Sequence, residues 1–278
     1  MDMLQSGSQG DAVKTLQNQL IQLGFKIAAD GIFGNETKAA VMLFQTQHQL
    51  TADGIVGPAT EAVLLNLPSP PVINNSIQGV DISHFNGQVN LKSLSPAVSF
   101  VYCKASQGKS FKDNMLLANF KQAAASNILP GAYHFLTFQN ATAQQQVSNF
   151  LNCGIDFSKP GILPPVLDIE WQVPDTLNPY IQSNKAACIQ LISDWLTGVK
   201  AQTGRTPIIY TNRNFWQDYL GNPTGFQTYP LWIAAYQTAQ PALPPGWSEY
   251  TFWQYSGAGI DKDVFNGNID DLKKLALL

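Results

Sequence analysis

The 278-residue sequence predicts an α/β protein, a β/α barrel carried behind a small three-helix unit, and three observations lead there. Residues 68–77, Pro-Ser-Pro-Pro-Val-Ile-Asn-Asn-Ser-Ile, cannot form a regular helix and read as a short, fairly stiff linker between domains at 1–67 and 78–278. Ahead of the linker, Asp30-Gly31-Ile32-Phe33-Gly34-Asn35-Glu36-Thr37 recurs as Asp53-Gly54-Ile55-Val56-Gly57-Pro58-Ala59-Thr60. Behind it, short apolar runs alternate with amphipathic segments, the pattern of strands that cross over through helices.

Each element follows from spacing. Val13, Leu16, Leu20 and Leu23 mark one face of a first helix, Ala40, Leu43, Phe44 and Gln47 a second, and Ala59, Val63 and Leu67 a third. Each Asp-Gly repeat is a turn that feeds a helix, and Pro58 suits the first helical position. In the larger domain the apolar runs predict strands at Gly79–Ser83, Ser99–Lys104, Pro130–Phe135, Pro165–Glu170, Pro207–Thr211, Leu231–Ala235 and Thr251–Tyr255. Helices are predicted near Asn114–Ala125, Ala141–Asn152 and Ser183–Thr203. Little room remains for helices late in the chain, so the last strands should be joined by loops. Barrels of this kind put their chemistry at the carboxyl ends of the strands.

Composition excludes several classes of partner. With 45% hydrophobic content, 15 Phe, 9 Tyr and 6 Trp, the chain can fill a large core. Only 13% of residues are charged and the net charge is −3, so no basic face is available for nucleic acid or anionic lipid. Cys103, Cys153 and Cys188 are odd in number and irregularly spaced, as expected of buried thiols in a reducing compartment. They give no metal set with His48, His84 or His134, and no cofactor is expected. The amino terminus lacks a basic segment followed by an apolar run, and no stretch is long enough to span a bilayer. A monomer made in the cytoplasm, without stable membrane association, is expected.

The most informative stretch is Val166-Leu167-Asp168-Ile169-Glu170-Trp171. Side chains alternate along a strand, so Asp168 and Glu170 share a face, with Cα atoms about 6–7 Å apart. Two carboxylates converging on one bond suit glycoside hydrolysis, in which one donates a proton and the other stabilises or captures the positive sugar centre. The competing account is a strand end whose acids cap a helix or pair with a cation. Several other runs also finish in polar or aromatic groups, among them Asp81, Lys104, Tyr133-His134-Phe135, Tyr210, Trp232, Tyr236 and Trp253-Gln254-Tyr255. That convergence favours the functional account.

Two resemblances sharpen this. Gly7-Ser8-Gln9-Gly10-Asp11-Ala12-Val13-Lys14-Thr15-Leu16-Gln17, Leu23-Gly24-Phe25, the two Asp-Gly-x-x-Gly-x-x-Thr repeats and Phe44-Gln45 resemble the peptidoglycan-binding domain of cell-wall hydrolases. The resemblance implies a three-helix module that docks on bacterial wall. Gly79-Val80-Asp81-Ile82-Ser83, Lys104-Ala105-Ser106-Gln107-Gly108, Gly131-Ala132-Tyr133-His134-Phe135, Leu167-Asp168-Ile169-Glu170, Tyr210-Thr211-Asn212, Leu231-Trp232-Ile233-Ala234-Ala235-Tyr236 and Trp253-Gln254-Tyr255-Ser256, in that order, resemble glycoside hydrolase family 25, the muramidases. This implies an irregular TIM-like barrel of five β/α units then three strands, and cleavage of the β-1,4 bond after N-acetylmuramic acid. By the family pattern Glu170 is the general acid/base, Asp168 stabilises the charge at the reaction centre, and Asp81 and Asp263 complete an acidic cluster. The chain departs at Gln107, where the family commonly has Glu.

Tyr133, Tyr210, Trp232 and Tyr236 are candidate sugar contacts, since ring faces suit the apolar faces of sugars, with barrel-core packing the competing role for each. Lys104 is placed beside a groove carboxylate. His134 should face away from Tyr133, and Trp253 should pack in the core. The implied function is a bacteriolytic muramidase acting on bacterial peptidoglycan, a phage or prophage endolysin released from the host cytoplasm to reach the wall. An N-acetylglucosaminidase on a related barrel and a non-catalytic wall-binding protein are the alternatives.

Overall fold

The computed structural model describes residues 3–23, 25, 27–66, 76–172, 174–236, 240–257 and 259–278. The predicted linker, apart from Ser76 and Ile77, lies outside them, as does Leu67. The chain divides into two compact units, the first carrying Met1–Val72 with the short segments Tyr236–Gln240 and Tyr255–Asp261, and the second Ile73–Ala235, Pro241–Gln254 and Lys262–Leu278.

The first unit has helices α1 (Asp11–Gln22), α2 (Asn35–Gln47) and α3 (Pro58–Asn66). Their apolar faces meet in a core of Val13, Leu16, Leu20, Phe33, Ala40, Val41, Phe44 and Val56. Each sequence repeat is closed by a buried glutamine from the preceding helix. Gln17 accepts from the Gly31 amide and donates to Asp30, to the Ile32 carbonyl and to Thr37. Gln45 makes the same four bonds one repeat later, to Gly54, Asp53, Ile55 and Thr60. Gly31 and Gly54 turn at φ of 77° and 72°, a conformation that glycine adopts without steric cost.

The second unit is a closed barrel. Its strands are β1 (Ile77–Ile82), β2 (Phe100–Gln107), β4 (Leu129–Phe135), β5 (Val166–Ile169), β6 (Ile208–Asn212), β7 (Leu231–Ala234), β8 (Phe252–Ser256) and β9 (Asp261–Phe265), with β3 (Phe111–Lys112) added at the edge of β2. The order β1-β9-β8-β7-β6-β5-β4-β2 closes through a parallel β1–β2 pairing. Helices α4 (Leu116–Ala125), α5 (Ala143–Leu151), α6 (Asn178–Ser183), α7 (Lys185–Thr203) and α8 (Arg213–Asp218) fall between β2 and β7, and α9 (Ile269–Leu275) ends the chain. Five strand units followed by three strands is thus the architecture, with one difference from the expectation. Only the 3-10 turns His84–Asn86 and Leu91–Ser93 join β1 to β2, a connection punctuated by Gly87 and Pro96, which do not sustain a helix. The predicted strands coincide with seven of the eight barrel strands. The eighth, β9, escapes the apolar pattern because Asp261, Lys262 and Asp263 open it.

Aromatic rings fill the barrel. Phe100 and Tyr102 of β2 lie 5.0 and 5.5 Å from Phe252 of β8, three strands away, so these rings meet across the interior. Glycine makes room for them: a Cβ on Gly79 would fall 2.3 Å from the Phe100 ring, and one on Gly131 2.2 Å from Tyr102. At the amino ends of β5 and β6, the Arg205 guanidinium donates to the carbonyls of Phe157, Ile162 and Leu275 and seals the end away from the acids.

Candidate active site

β5 delivers the acid pair. Val166, Leu167 and Ile169 are fully buried, as in a parallel strand covered on both sides, and Asp168 is the polar exception, 5% exposed. Glu170 follows the strand end and is half-buried. Asp168 thus lies within the strand and Glu170 just past its carboxyl end. Across the sheet Asp168 is register partner of Phe135 on β4 and Tyr210 on β6.

Two hydrogen-bonded bridges fix the other acids. The Tyr210 hydroxyl donates to Gln254 Oε1 at 2.8 Å, and Gln254 Nε2 donates to Asp81 Oδ2, which joins β6, β8 and β1. The Trp232 indole N–H donates to Asp263 Oδ1 at 2.9 Å, which joins β7 to β9. Asp81 is 6% exposed and Asp263 fully buried. Trp232, 1% exposed, packs against Tyr102 at 4.9 Å and against Tyr210 at 5.1 Å. The phenol of Tyr102 is held well above its ordinary pKa by burial, with Arg205 opposing and Asp263 reinforcing the shift. Gln254 carries the first bridge, a role that its place in the Trp253-Gln254-Tyr255 strand end does not by itself assign. Its signal is the alternation Phe252, Gln254, Ser256 on one face of β8.

Lys104 and Tyr133 are register partners on β2 and β4, and both are buried. A bulge between Lys104 and Ser106 inserts one residue, so the two side chains face opposite sides of the sheet despite their spacing. Lys104 Nζ donates to Gln107 Oε1 at 2.8 Å and lies 4.9 Å from the centre of the Phe135 ring. Ser106 instead meets His134 on the helix side, at 2.8 Å. His134 is fully buried, stacks on Trp195, and has Gln146 Oε1 3.2 Å from Nε2. That amide oxygen can only accept, so Nε2 carries the proton and Nδ1 accepts from Ser106. Burial drives the His134 pKa down to about 3, keeping the ring neutral. It is a structural imidazole. Tyr236 is half-buried, two residues beyond β7, and Trp253 is buried and donates to the Ala235 carbonyl. Among the described residues no group of three His, Cys, Asp or Glu is placed to hold a metal ion. Burial raises the thiol pKa of Cys103, Cys153 and Cys188.

The model for glycosyl hydrolases family 25 matches residues 80–264, which span the barrel from β1 to β9. The chain belongs to glycosyl hydrolase family 25. The peptidoglycan binding domain model matches residues 9–64, covering the amino-terminal unit. Lysozyme M1 of Streptomyces globisporus is 33% identical over 74% of this chain and 73% of its own length. An N,O-diacetylmuramidase of Chalaropsis sp is 34% identical over 72% of this chain and 99% of its own. The structure of a family 25 lysozyme from Aspergillus fumigatus superposes with a TM-score of 0.67 at 32% identity, covering 72% of this chain and 99% of that one. This family 25 member is therefore a glycoside hydrolase of the lysozyme and muramidase class, with peptidoglycan of the cell wall as its substrate.

Proposed function

We propose that this enzyme hydrolyses the β-1,4 bond between N-acetylmuramic acid and N-acetylglucosamine. The observation that carries the reading is the contrast within the acid pair: Asp168 is 5% exposed among hydrogen-bonded neighbours, whereas Glu170, two residues on, is half-buried at the mouth of the strand. A carboxyl open to solvent can exchange its proton between turnovers. Glu170 protonates the leaving glycosidic oxygen, the acetamido carbonyl oxygen of the sugar attacks its own anomeric carbon, and the glycosidic bond breaks. Asp168 holds the acetamido N–H and offsets the positive charge that develops there. Water then opens the ring intermediate while the Glu170 carboxylate takes its proton, leaving a new reducing end. Asp81 and Asp263 extend the negative potential. Tyr133, Tyr210, Tyr236 and Lys104 complete the set that shapes the sugar groove, while Trp232, 1% exposed against Tyr102 and Tyr210, takes the core-packing role.

Residues 1–67 serve as the wall tether and 78–278 as the catalytic domain of a monomeric phage or prophage endolysin. The pairing of a wall-binding module with a wall hydrolase supports the tethering role, because tethering raises the local concentration of insoluble substrate. Among the described residues no helix is long and apolar enough to cross a membrane. Glu170→Gln should lower turnover by about 10²-fold or more while wall binding persists. Near-normal lysis by the folded variant would overturn the assignment.

A further inference from the structure

A cleft of about 360 Å³ lies between the turn that follows β2 and the loop that follows β4. Gln107, Lys109 and Phe111 line one wall, and Thr137 and Gln139 the other. Its floor includes Gln172, whose side-chain amide donates to the Glu170 carbonyl at 3.0 Å and to the Leu136 carbonyl at 3.1 Å, so the cleft shares a residue-level support with the proposed acid/base.

Both walls are pinned from behind. The buried Asn149 side chain donates to the carbonyls of Gly108 and Phe111 at 2.9 and 3.0 Å. The Gln146 amide brackets Thr137, accepting from its N–H and donating to its carbonyl, each at 2.9 Å. Gly108, at φ +53°, lets Thr137 close in, since a Cβ there would fall 2.9 Å from the threonine hydroxyl. The cleft is therefore held in shape by the fold.

Its lining is mostly uncharged hydrogen-bonding groups, with Phe111 42% exposed and Lys109 the one charged lining residue. A second cleft continues past Lys109 and Ser110 to Lys112, again with no acidic lining residue. A glycan strand whose lactyl carboxyls are amidated by peptide is itself neutral and does not call for a cation. A peptide carried on the glycan does, because it presents amides to the Gln, Asn and Thr groups, small apolar side chains to Phe111, and carboxylates to Lys109.

We propose that this cleft binds the acidic peptide attached to the lactyl group of the N-acetylmuramic acid at the cleavage site, with Lys109 opposing a peptide carboxylate. The inference rests on the muramidase reading given above. It makes the peptide a specificity determinant: the enzyme prefers glycan whose sugars still carry their peptides.

The test compares the full-length wild type with Lys109→Ala and Lys109→Glu on purified glycan strands free of anionic wall polymer, either bearing peptides or stripped of them by an amidase, the lactyl carboxylates that this frees being capped as methylamides. Wild type should show a higher kcat/KM on the peptide-bearing strands, and Lys109→Glu should raise KM there by about tenfold with kcat little changed, the mark of lost ground-state binding. On stripped strands all three proteins should be equal. Equal kcat/KM of wild type on both strands, or equal impairment of Lys109→Glu on both, would overturn the cleft assignment while leaving the muramidase reading intact. Impairment seen only on whole wall carrying anionic polymer would also overturn it, in favour of polymer binding. Failure of wild type to cleave either strand would instead refute the muramidase reading, and the inference with it.

Discussion

The Tyr210 hydroxyl lies 2.8 Å from the Gln254 amide oxygen, and the same glutamine passes a hydrogen bond to Asp81. Tyr210 is at the same time the sheet neighbour of Asp168. One side-chain pair thus relates the strand of the acid pair to an acid 173 residues from Gln254 in sequence.

If that bridge holds Asp81 in place for catalysis, Tyr210→Phe should lower kcat by about tenfold, corresponding to about 1.4 kcal/mol of lost transition-state stabilisation. Loss of one buried hydrogen bond should cost about 1 kcal/mol of stability, so the variant should remain folded. Steady-state kinetics on soluble wall fragments and thermal unfolding check both. Unchanged kcat in Tyr210→Phe and in Gln254→Leu would remove the bridge from the account.

The buried imidazole predicts a pH dependence of stability. His134 titrates near 6.5 when unfolded and at about 3 when folded, because burial disfavours its charged form. Between these values the unfolded chain binds the extra proton, so stability is complete above pH 6.5 and is lost as pH falls toward 3, by about 1.4 kcal/mol per unit. Chemical denaturation of wild type and His134→Gln should therefore show their stability difference shrinking by about 2–3 kcal/mol between pH 7 and 4.5. A constant difference would mean that the ring is charged or solvated in the folded state.

The paired glutamines predict a local effect. The Gly31 and Gly54 amides donate to Gln17 and Gln45 and should exchange slowly with solvent hydrogen. In Gln45→Leu the Gly54 amide should exchange much faster while Gly31 stays slow. Equal protection of both in the variant would show that the turn is held by something other than the glutamine.

These particulars show which features a sequence exposes. The Asp-Gly repeats and the Asp168/Glu170 pair are legible because they depend on local rules: the Asp30 carboxylate bonds the amide two residues ahead, and residues i and i+2 share a strand face. Gln17 and Gln45 stand in plain view within the helices, yet their role exists only once the repeat turns fold back onto them. The Tyr210–Gln254–Asp81 bridge depends on barrel closure, which no spacing encodes. β9 is hidden because Asp263 is a buried carboxylate satisfied in part by Trp232, so a charged residue occupies a position where an apolar one is expected. The 3-10 connection after β1 replaces a helix because its turn residues outweigh the barrel's alternation.

The central claim is the bond that is cut, and the identity of the new reducing sugar tests it most directly. Peptidoglycan digested by the full-length enzyme, reduced with borohydride and examined by mass spectrometry, should yield fragments ending in muramitol. Fragments ending in glucosaminitol would contradict the account and assign the enzyme to the opposite bond of the glycan repeat.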